Sequence, residues 1–364
     1  MLSKQLTDFF HASPLVFMKA IPFEEVVFDK RAKYMCKFGC KKYNRSFSCP
    51  PESNIFAKKI KNNNFKWILL VATTYSFPKD FSRFKMGIQN SQKEMEIQRI
   101  STQLDNIMSM NGLKYIILSG GCCKKCRECA LINNQQCKKP SLRLTSMEAV
   151  GIDCQKTMHI AGFDFEMPNT NSINRCAAIL LTTDEISSLN LQKRESFQKL
   201  KETSKKQVEE MCVNLLNGHP KLFESIELKS ISGLEIKDFN CATNCKSSKN
   251  TNFSCPPYSN ELELNLWTNF ILWKWRDNST KKYSYNNALK KIHSTIFSMG
   301  FYFAMSLRNC YCGECSQCTF SLSEKTVCNY RKLLSPSMQS QGIDPLRFGK
   351  GKYGIELLQF DDEI

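Results

Sequence analysis

Apolar and polar positions follow the same order in the two halves of the chain. Each half shows a buried apolar strand, an amphipathic helix, a second apolar strand and a closing strand. In the first half these elements are predicted at 65–75, 81–110, 113–119 and 176–183. In the second half they are predicted at 266–275, 284–299, 301–307 and 353–360. The order predicts an α/β fold of two homologous modules in tandem, each a small sheet with helices and with cysteine-rich loops at strand ends.

A charged segment without Pro or Gly, 184–210, separates the two patterns. We therefore expect a first module at 1–183, a linker at 184–210 and a second module at 211–364. The second half of the linker is predicted to begin a helix of the second module.

Two cysteine motifs recur in both modules. The first has three cysteines and ends in Cys-Pro-Pro: Cys36, Cys40 and Cys49, then Cys241, Cys245 and Cys255. The second has four cysteines: Cys123, Cys126, Cys129 and Cys137, then Cys312, Cys315, Cys318 and Cys328. Together they account for 14 of the 19 cysteines, many only two or three residues apart. Such spacing indicates metal ligands better than a disulfide frame or buried apolar thiols.

The four-cysteine motif predicts an iron–sulfur site. Three cysteines at C-x2-C-x2-C resemble the run that surrounds a 4Fe–4S cluster in bacterial ferredoxins. Cys137 and Cys328 are the nearest fourth ligands. Zinc is the alternative, because four thiolates satisfy its tetrahedral geometry equally well. Iron–sulfur is favoured because zinc sites use pairs of cysteines rather than triples.

The three-cysteine motif is one thiolate short of a closed site. Three possibilities stay open: a fourth ligand from elsewhere in the chain, a cluster with an open iron, or a site shared with the four-cysteine motif. The residue before a proline is held in an extended conformation, so Cys49 and Cys255 are expected on stiff, strand-like segments.

The remaining candidates are expected to be structural. Cys122, Cys154, Cys176, Cys212 and Cys310 have no clear equivalent in the other copy and are interpreted as core or incidental residues; Cys122 and Cys310, which lie beside the four-cysteine motif, are the first candidates for exceptions. A similar tail follows each four-cysteine motif, at 146–153 and 337–344. Its acids, Glu148, Asp153 and Asp344, could transfer protons, but turn formation and helix capping are favoured. The four histidines lie outside the motifs and are not expected to bind metal.

The composition limits location and partners. The formal net charge is +17, spread along the chain, and part of it can offset anionic metal–thiolate sites. A solvated basic surface is favoured over nucleic-acid binding, although an acidic partner stays possible. No apolar run is long enough for a membrane span, and no secretory signal is recognisable. We therefore expect a cytoplasmic protein.

Taken together, the motifs resemble a known family. They are Cys-x3-Cys, Phe-Ser-Cys-Pro-Pro at 47–51, Gly-Gly-Cys-Cys at 120–123, and Ser-Met-Glu-Ala-Val-Gly-Ile-Asp at 146–153. This set is similar to an uncharacterised family, a domain of unknown function, of predicted metal-binding proteins from anaerobic bacteria and archaea. The resemblance covers nearly the whole chain, twice, and implies metal binding and an anaerobic setting but no reaction. The second copy departs from it at Tyr311, at 339–340 and in a shortened segment after Asp344.

Three functional hypotheses follow, and whether the protein is an enzyme stays open. The favoured one is an iron–sulfur protein that transfers electrons to a redox partner protein. The second is an enzyme that uses an open three-cysteine cluster for sulfur or small-molecule chemistry. The third is a zinc-stabilised binding protein. The sequence indicates no substrate, redox partner or oligomeric state.

Overall fold

The structure is a computed structural model that describes most of the first module and parts of the second. The described residues are 1–40, 42–77, 83–163, 165, 172–193, 203–236, 262–277, 284–301, 303–309, 336–341 and 343–360, with only the backbone for 83–85. The chain divides into two units: one comprises Met1–Lys37 and Lys42–Leu200, and the other Phe38–Lys41 and Lys201–Ile364.

Helices and strands alternate along the described residues. The α-helices are α1 (Leu2–Ala12), α2 (Lys30–Gly39), α3 (Asn54–Asn62), α4 (Arg83–Met110), α5 (Cys154–Ile160), α6 (Lys205–Gly218) and α7 (Tyr285–Ser298). The strands are β1 (Phe17–Pro22), β2 (Trp67–Ser76), β3 (Tyr115–Ser119), β4 (Thr145–Ser146), β5 (Ser172–Leu181), β6 (Asn190–Gln192), β7 (Phe223–Ser230), β8 (Asn269–Trp275), β9 (Met305–Arg308) and β10 (Lys352–Leu358). This confirms the predicted α/β class.

The first unit is built on a six-stranded sheet in the order β4-β3-β5-β2-β1-β6. Strand β5 lies in the middle and pairs antiparallel with β2 and β3, while β3 pairs parallel with β4. The predicted closing strand, β5, therefore lies between β2 and β3, the two strands predicted before it, and pairs with both. Because β3 and β4 are adjacent and parallel, the segments that follow the two strands leave the sheet at the same end.

Both faces of this sheet are buried. Along β2, Leu69 and Val71 belong to one apolar core, whereas Ile68, Leu70 and Ala72 belong to the other. The first core is covered by α1 and α4, whose apolar residues recur at helical spacing. The second is covered by α3, α5 and the tail residues that follow β4. Alternate side chains of one strand thus fill two layers, which explains why β2 reads as a continuous apolar run.

The second unit has a four-stranded sheet in the order β7-β8-β10-β9, antiparallel at every pairing. Helices α6 and α7 cover one face, where Val208 and Ile292 pack with Trp273 of β8. Helix α6 begins at Lys205 behind a capping box formed by Ser204 and Gln207. The helix predicted to begin in the linker is therefore present.

The predicted elements agree with the observed ones to within a few residues. Among the described helices, none combines the length and the apolar character needed to cross a bilayer.

Candidate metal centre

The four-cysteine motif of the first module surrounds one cavity. Its wall includes Cys123, Cys126, Cys129 and Cys137, each of them half-buried. The cavity has a volume of about 30 Å³, enough for about two water molecules. Within the described residues, no three potential ligands are close enough to hold a metal ion as they stand. The thiols thus face a common space without being gathered around one point, and a metal would have to draw the loop inward.

A short turn returns the chain so that the fourth cysteine reaches this cavity. The residues after Cys129 form a 3-10 turn, Ala130–Asn133. Asn134 ends it in the left-handed conformation with φ 53°, and the Gln135 amide donates to the Ala130 carbonyl at 3.0 Å. Asparagine tolerates this conformation better than most residues. The seven-residue spacing before Cys137 therefore encodes a closed reversal of the chain.

Two glycines set the path from β3 into the loop. The Gly120 amide donates to the Cys176 carbonyl of β5 at 2.8 Å, and a Cβ on Gly120 would lie 2.7 Å from that same oxygen. Gly121 has φ +84°, which side-chain-bearing residues rarely adopt. The Gly-Gly pair thus lets the loop leave the sheet at close range.

Gln98 of α4 holds the start of the loop. Its Nε2 donates to the Cys122 carbonyl at 2.7 Å, and its Oε1 accepts from the Lys124 amide at 2.7 Å. The side chain is 2% exposed, so both hydrogen bonds form away from bulk water. Glu94, one helical turn earlier, binds Lys124 Nζ at 2.9 Å. Helix α4 therefore fixes the backbone on both sides of Cys123.

Ser48 connects the two cysteine motifs. Its hydroxyl accepts from the Cys123 amide at 2.8 Å and lies 3.8 Å from the Cys49 sulfur. Ser46 adds a hydroxyl contact to Ser48 at 2.8 Å. The Cys-Pro-Pro loop and the four-cysteine loop are thus direct neighbours.

The other two cysteines of the three-cysteine motif lie at the end of α2. Cys36 is in its last two turns and Cys40 follows its last residue; both are half-buried, whereas Cys49 is buried. By the division of the chain into units, Cys40 belongs with the second unit and Cys49 with the first. The structure does not bring these three residues together as a ligand group.

Basic side chains surround the thiol cavity. Lys125, Lys138, Lys139 and Arg143 contribute to its wall. Burial lowers the pKa of Lys125, although Cys123 and Asp105 act in the opposite direction. Burial also lowers the pKa of Lys124, but the hydrogen bond and charge of Glu94 outweigh it and leave that pKa raised. Four thiolates around one metal would carry a net negative charge, which these cations would stabilise.

The non-recurring cysteines in the described residues are core residues, as expected. Cys122, Cys154, Cys176 and Cys212 are all buried. Burial raises the pKa of Cys212 to about 12, and contact with Cys176 and burial raise that of Cys154. Such thiols stay protonated and unreactive. Cys310 lies outside the described residues.

The tails form turns and caps. Gly151 has φ +96°, and Asp153 caps α5 by accepting from the Lys156 amide at 2.9 Å. Asp344 accepts from the Leu346 amide at 2.9 Å in the second unit. The predicted capping role of both aspartates is confirmed. Burial nevertheless raises the pKa of Asp153 to about 6.

The cysteines predicted as ligands in the second module, Cys241, Cys245, Cys255, Cys312, Cys315, Cys318 and Cys328, lie outside the described residues. Sequence patterns also missed Gln98, Ser48 and Arg143. Nothing in the sequence predicts that a single glutamine in a long polar helix is buried, and a serine or an arginine in a loop is predicted to be exposed to solvent.

An α/β module with four thiols around one basic cavity belongs to the class of cysteine-rich metal-binding modules. Comparison with known families agrees. The chain belongs to the family described as predicted metal-binding protein (DUF2284), whose family model matches residues 19–181 and again 224–357. The double match confirms the tandem duplication and the predicted family. No curated protein and no solved structure matches the chain.

Proposed function

We propose that the first module binds a 4Fe–4S cluster through Cys123, Cys126, Cys129 and Cys137 and that the protein transfers electrons. The observation that supports this most directly is that these four side chains line one cavity. The donor set fits the group: four half-buried thiols, three of them at C-x2-C-x2-C spacing. Such a cluster supplies one-electron redox chemistry.

The surroundings suit a redox centre that exchanges electrons with another protein. Lys138 and Lys139 are exposed beside the thiols, so the surface around them is basic. A basic surface favours encounter with an acidic redox partner and makes that encounter dependent on salt. Positive charge near a cluster also stabilises its reduced form, because reduction adds negative charge.

The three-cysteine motif contributes a second proposed metal site, formed by Cys36, Cys40 and Cys49. This proposal rests on the recurrence of the motif in the sequence, and the contact between Ser48 and the Cys123 amide places only the Cys49 end of the motif beside the four-cysteine loop. By the repeat, Cys312, Cys315, Cys318 and Cys328 are the proposed cluster ligands of the second module, and Cys241, Cys245 and Cys255 are the second three-cysteine site.

Zinc is the competing metal, because the donor set also fits a tetrahedral Zn–thiolate site. Anaerobic purification followed by iron, sulfide and zinc analysis, with absorption and EPR spectra, separates the two. We expect iron and sulfide in molar excess over protein and an EPR signal on reduction. A colourless protein that contains zinc and no sulfide would overturn the iron–sulfur proposal.

A pair of variants tests the ligands. Cys126→Ala should remove the iron and sulfide of one cluster. Cys212 lies on α6 in the apolar core of the second unit, so Cys212→Ala should keep the iron and sulfide at the wild-type level. Circular dichroism melting of both variants monitors folding. Equal metal content in the two folded variants would contradict the assignment of Cys126.

A further inference from the structure

A second cavity lies beside the thiol cavity in the first module. It is bounded by α3, α4, β3 and the segment 141–144, and its volume is about 210 Å³. A cavity of roughly 150 Å³ in a protein core holds benzene, and pockets for drug-sized ligands begin at about 300 Å³. This cavity therefore has room for one aromatic ring or a short aliphatic chain with a small polar group.

Two cations share one aromatic ring in its wall. The Arg143 guanidinium carbon lies 4.9 Å from the centroid of Phe56, and Lys59 Nζ lies 5.6 Å from the same centroid. Both distances are in the range of cation–π contacts, which orient a cation without neutralising it. In the part of the chain that the structure describes, no carboxylate makes a salt bridge with either side chain. Two oriented cations with no salt-bridge partner among the described residues favour the binding of an anion at this wall.

One carboxylate limits the charge of that anion. Asp105 also lines the cavity and accepts a hydrogen bond from the Tyr115 hydroxyl at 2.7 Å. That hydroxyl lies 2.6 Å from Ser109 Oγ as well, so Asp105 is held by a fixed network. Among the lining residues, two cations and one carboxylate leave a single net positive charge, which a monoanion neutralises, whereas Asp105 opposes a second negative charge on the ligand.

Apolar and hydroxyl-bearing side chains complete the wall. Ile116, Ile117, Leu142 and Leu144 line it together with Thr102 and Ser141, so a ligand with a small apolar body gains from burial against the apolar part. Arg143 belongs to the walls of both cavities. A carboxylate bound to Arg143 would therefore lie next to the thiol cavity.

We propose that this cavity binds a small organic monocarboxylate, with its carboxylate on Arg143 and Lys59 and its apolar body against β3 and Leu144. The proposal rests on the cavity and its charges alone and does not require a bound metal. The site is proposed for the first copy: Tyr115 lies eight residues before Cys123, whereas the described residue eight before Cys312 is Ala304, which is buried and has no hydroxyl group. One ligand per chain is expected.

Benzoate is a suitable probe, and isothermal titration calorimetry of the full-length protein measures its binding. We expect saturable binding of one benzoate per chain, with benzamide, the neutral analogue, at least about tenfold weaker because it cannot satisfy the cations. Inorganic phosphate should not compete. No saturation by about 10 mM benzoate, equal binding of benzamide, or competition by phosphate would each overturn the proposal.

Variants locate the site. Arg143→Gln should weaken benzoate binding by about tenfold or more, and Lys59→Gln should weaken it by a smaller factor. Lys58→Gln, an exposed neighbour on α3 that does not line the cavity, should bind benzoate like the wild type. Asp105→Asn should improve the affinity for phenyl phosphate by about tenfold, because it removes the repulsion of a dianion. Unchanged benzoate affinity in both Lys59→Gln and Arg143→Gln would contradict the assignment.

Metal analysis of the same samples separates this proposal from the cluster proposal. Lys59 does not line the thiol cavity, so Lys59→Gln should lose benzoate affinity at unchanged metal content. Benzoate binding to protein stripped of metal should persist. Binding that disappears with the metal would show that benzoate binds the metal rather than the cavity and would refute the site.

Discussion

Gln98 offers the sharpest test of how the fold prepares the cysteine loop. Its side chain makes two hydrogen bonds of 2.7 Å, to the Cys122 carbonyl and from the Lys124 amide, on either side of Cys123. Gln98→Met keeps the size and helix propensity of the side chain and removes both bonds. Each bond contributes about 1 kcal/mol, and the carbonyl of buried Cys122 is left without its partner at a further cost of about 1 kcal/mol. The expected loss in the free energy of unfolding is about 2–3 kcal/mol.

The same change should weaken metal binding. If about 2 kcal/mol of the loss falls on ordering the loop, metal affinity decreases about thirtyfold. Removing the partners that orient metal ligands typically lowers affinity by about 10–100-fold. Zn²⁺ competition with a chromophoric chelator, on reduced protein, measures the affinity, and urea denaturation measures stability.

Gln103→Met is the matched control, because Gln103 is an exposed residue of the same helix. We expect its stability and its zinc affinity to remain close to the wild type. Gln98→Glu keeps the acceptor for the Lys124 amide but loses the donor to Cys122, so an intermediate effect is expected. If Gln98→Met and Gln103→Met had equal stability and equal zinc affinity, the idea that Gln98 positions the loop would be refuted.

Three further outcomes follow from the structure. Gly120→Ala should destabilise the protein by about 1–3 kcal/mol in urea denaturation, because the added Cβ would lie 2.7 Å from the Cys176 carbonyl oxygen. Gly87→Ala is the control: no atom lies within 4 Å of the added Cβ, so this variant should be neutral or slightly stabilising. Burial raises the pKa of Asp153 to about 6, so its contribution to stability is complete below about pH 4 and is lost as pH rises through 6. Asp153→Asn should therefore gain up to about 3 kcal/mol relative to the wild type between pH 3 and 7, and a difference that does not change with pH would contradict this. Burial lowers the pKa of His293, but the hydrogen bond to Glu356 and the charge of that residue outweigh burial and leave the pKa raised. The free energy of unfolding should therefore decrease above pH 6.5 more steeply in the wild type than in His293→Gln. Parallel pH profiles of the two proteins would exclude a stabilising role of protonated His293.

The sequence predicts those parts of the fold that depend on local periodicity. Strand β2 and helix α4 are recognisable because a continuous apolar run and a helical apolar spacing each extend over many residues. The pairing of β5 between β2 and β3 is not predictable in this way, since it depends on contacts between residues about 60 to 115 positions apart. Residue-level periodicity therefore gives the elements but not their order in the sheet.

The same distinction holds for the candidate site, where the motif cysteines are predictable from the sequence and the residues that position the loop are not. Cysteines at fixed spacing are visible in the sequence because neighbouring thiols must share one metal. Gln98 and Arg143 are not visible, because their roles arise only where α4 and the segment 141–144 meet the cysteine loop. A polar residue becomes a positioning residue through its burial and its partners, and neither is encoded in its immediate neighbours.

Among the described residues, the two copies differ at the strand position six residues before the four-cysteine motif. Ile117 lies six residues before Cys123 and pairs with Ile179 across β3 and β5. Ser306, six residues before Cys312, pairs with Glu356 across β9 and β10 and donates to that carboxylate at 2.6 Å. Glu356 is fully buried, and a buried carboxylate is costly unless it is hydrogen-bonded. Ser306 and His293, which contacts the same carboxylate at 3.1 Å, together offset the cost of burying Glu356, so these three residues form one polar cluster where the first copy has an apolar pair. The two modules therefore share the cysteine motifs, whereas the sheet beside the motif carries an apolar pair in the first module and a titratable cluster in the second.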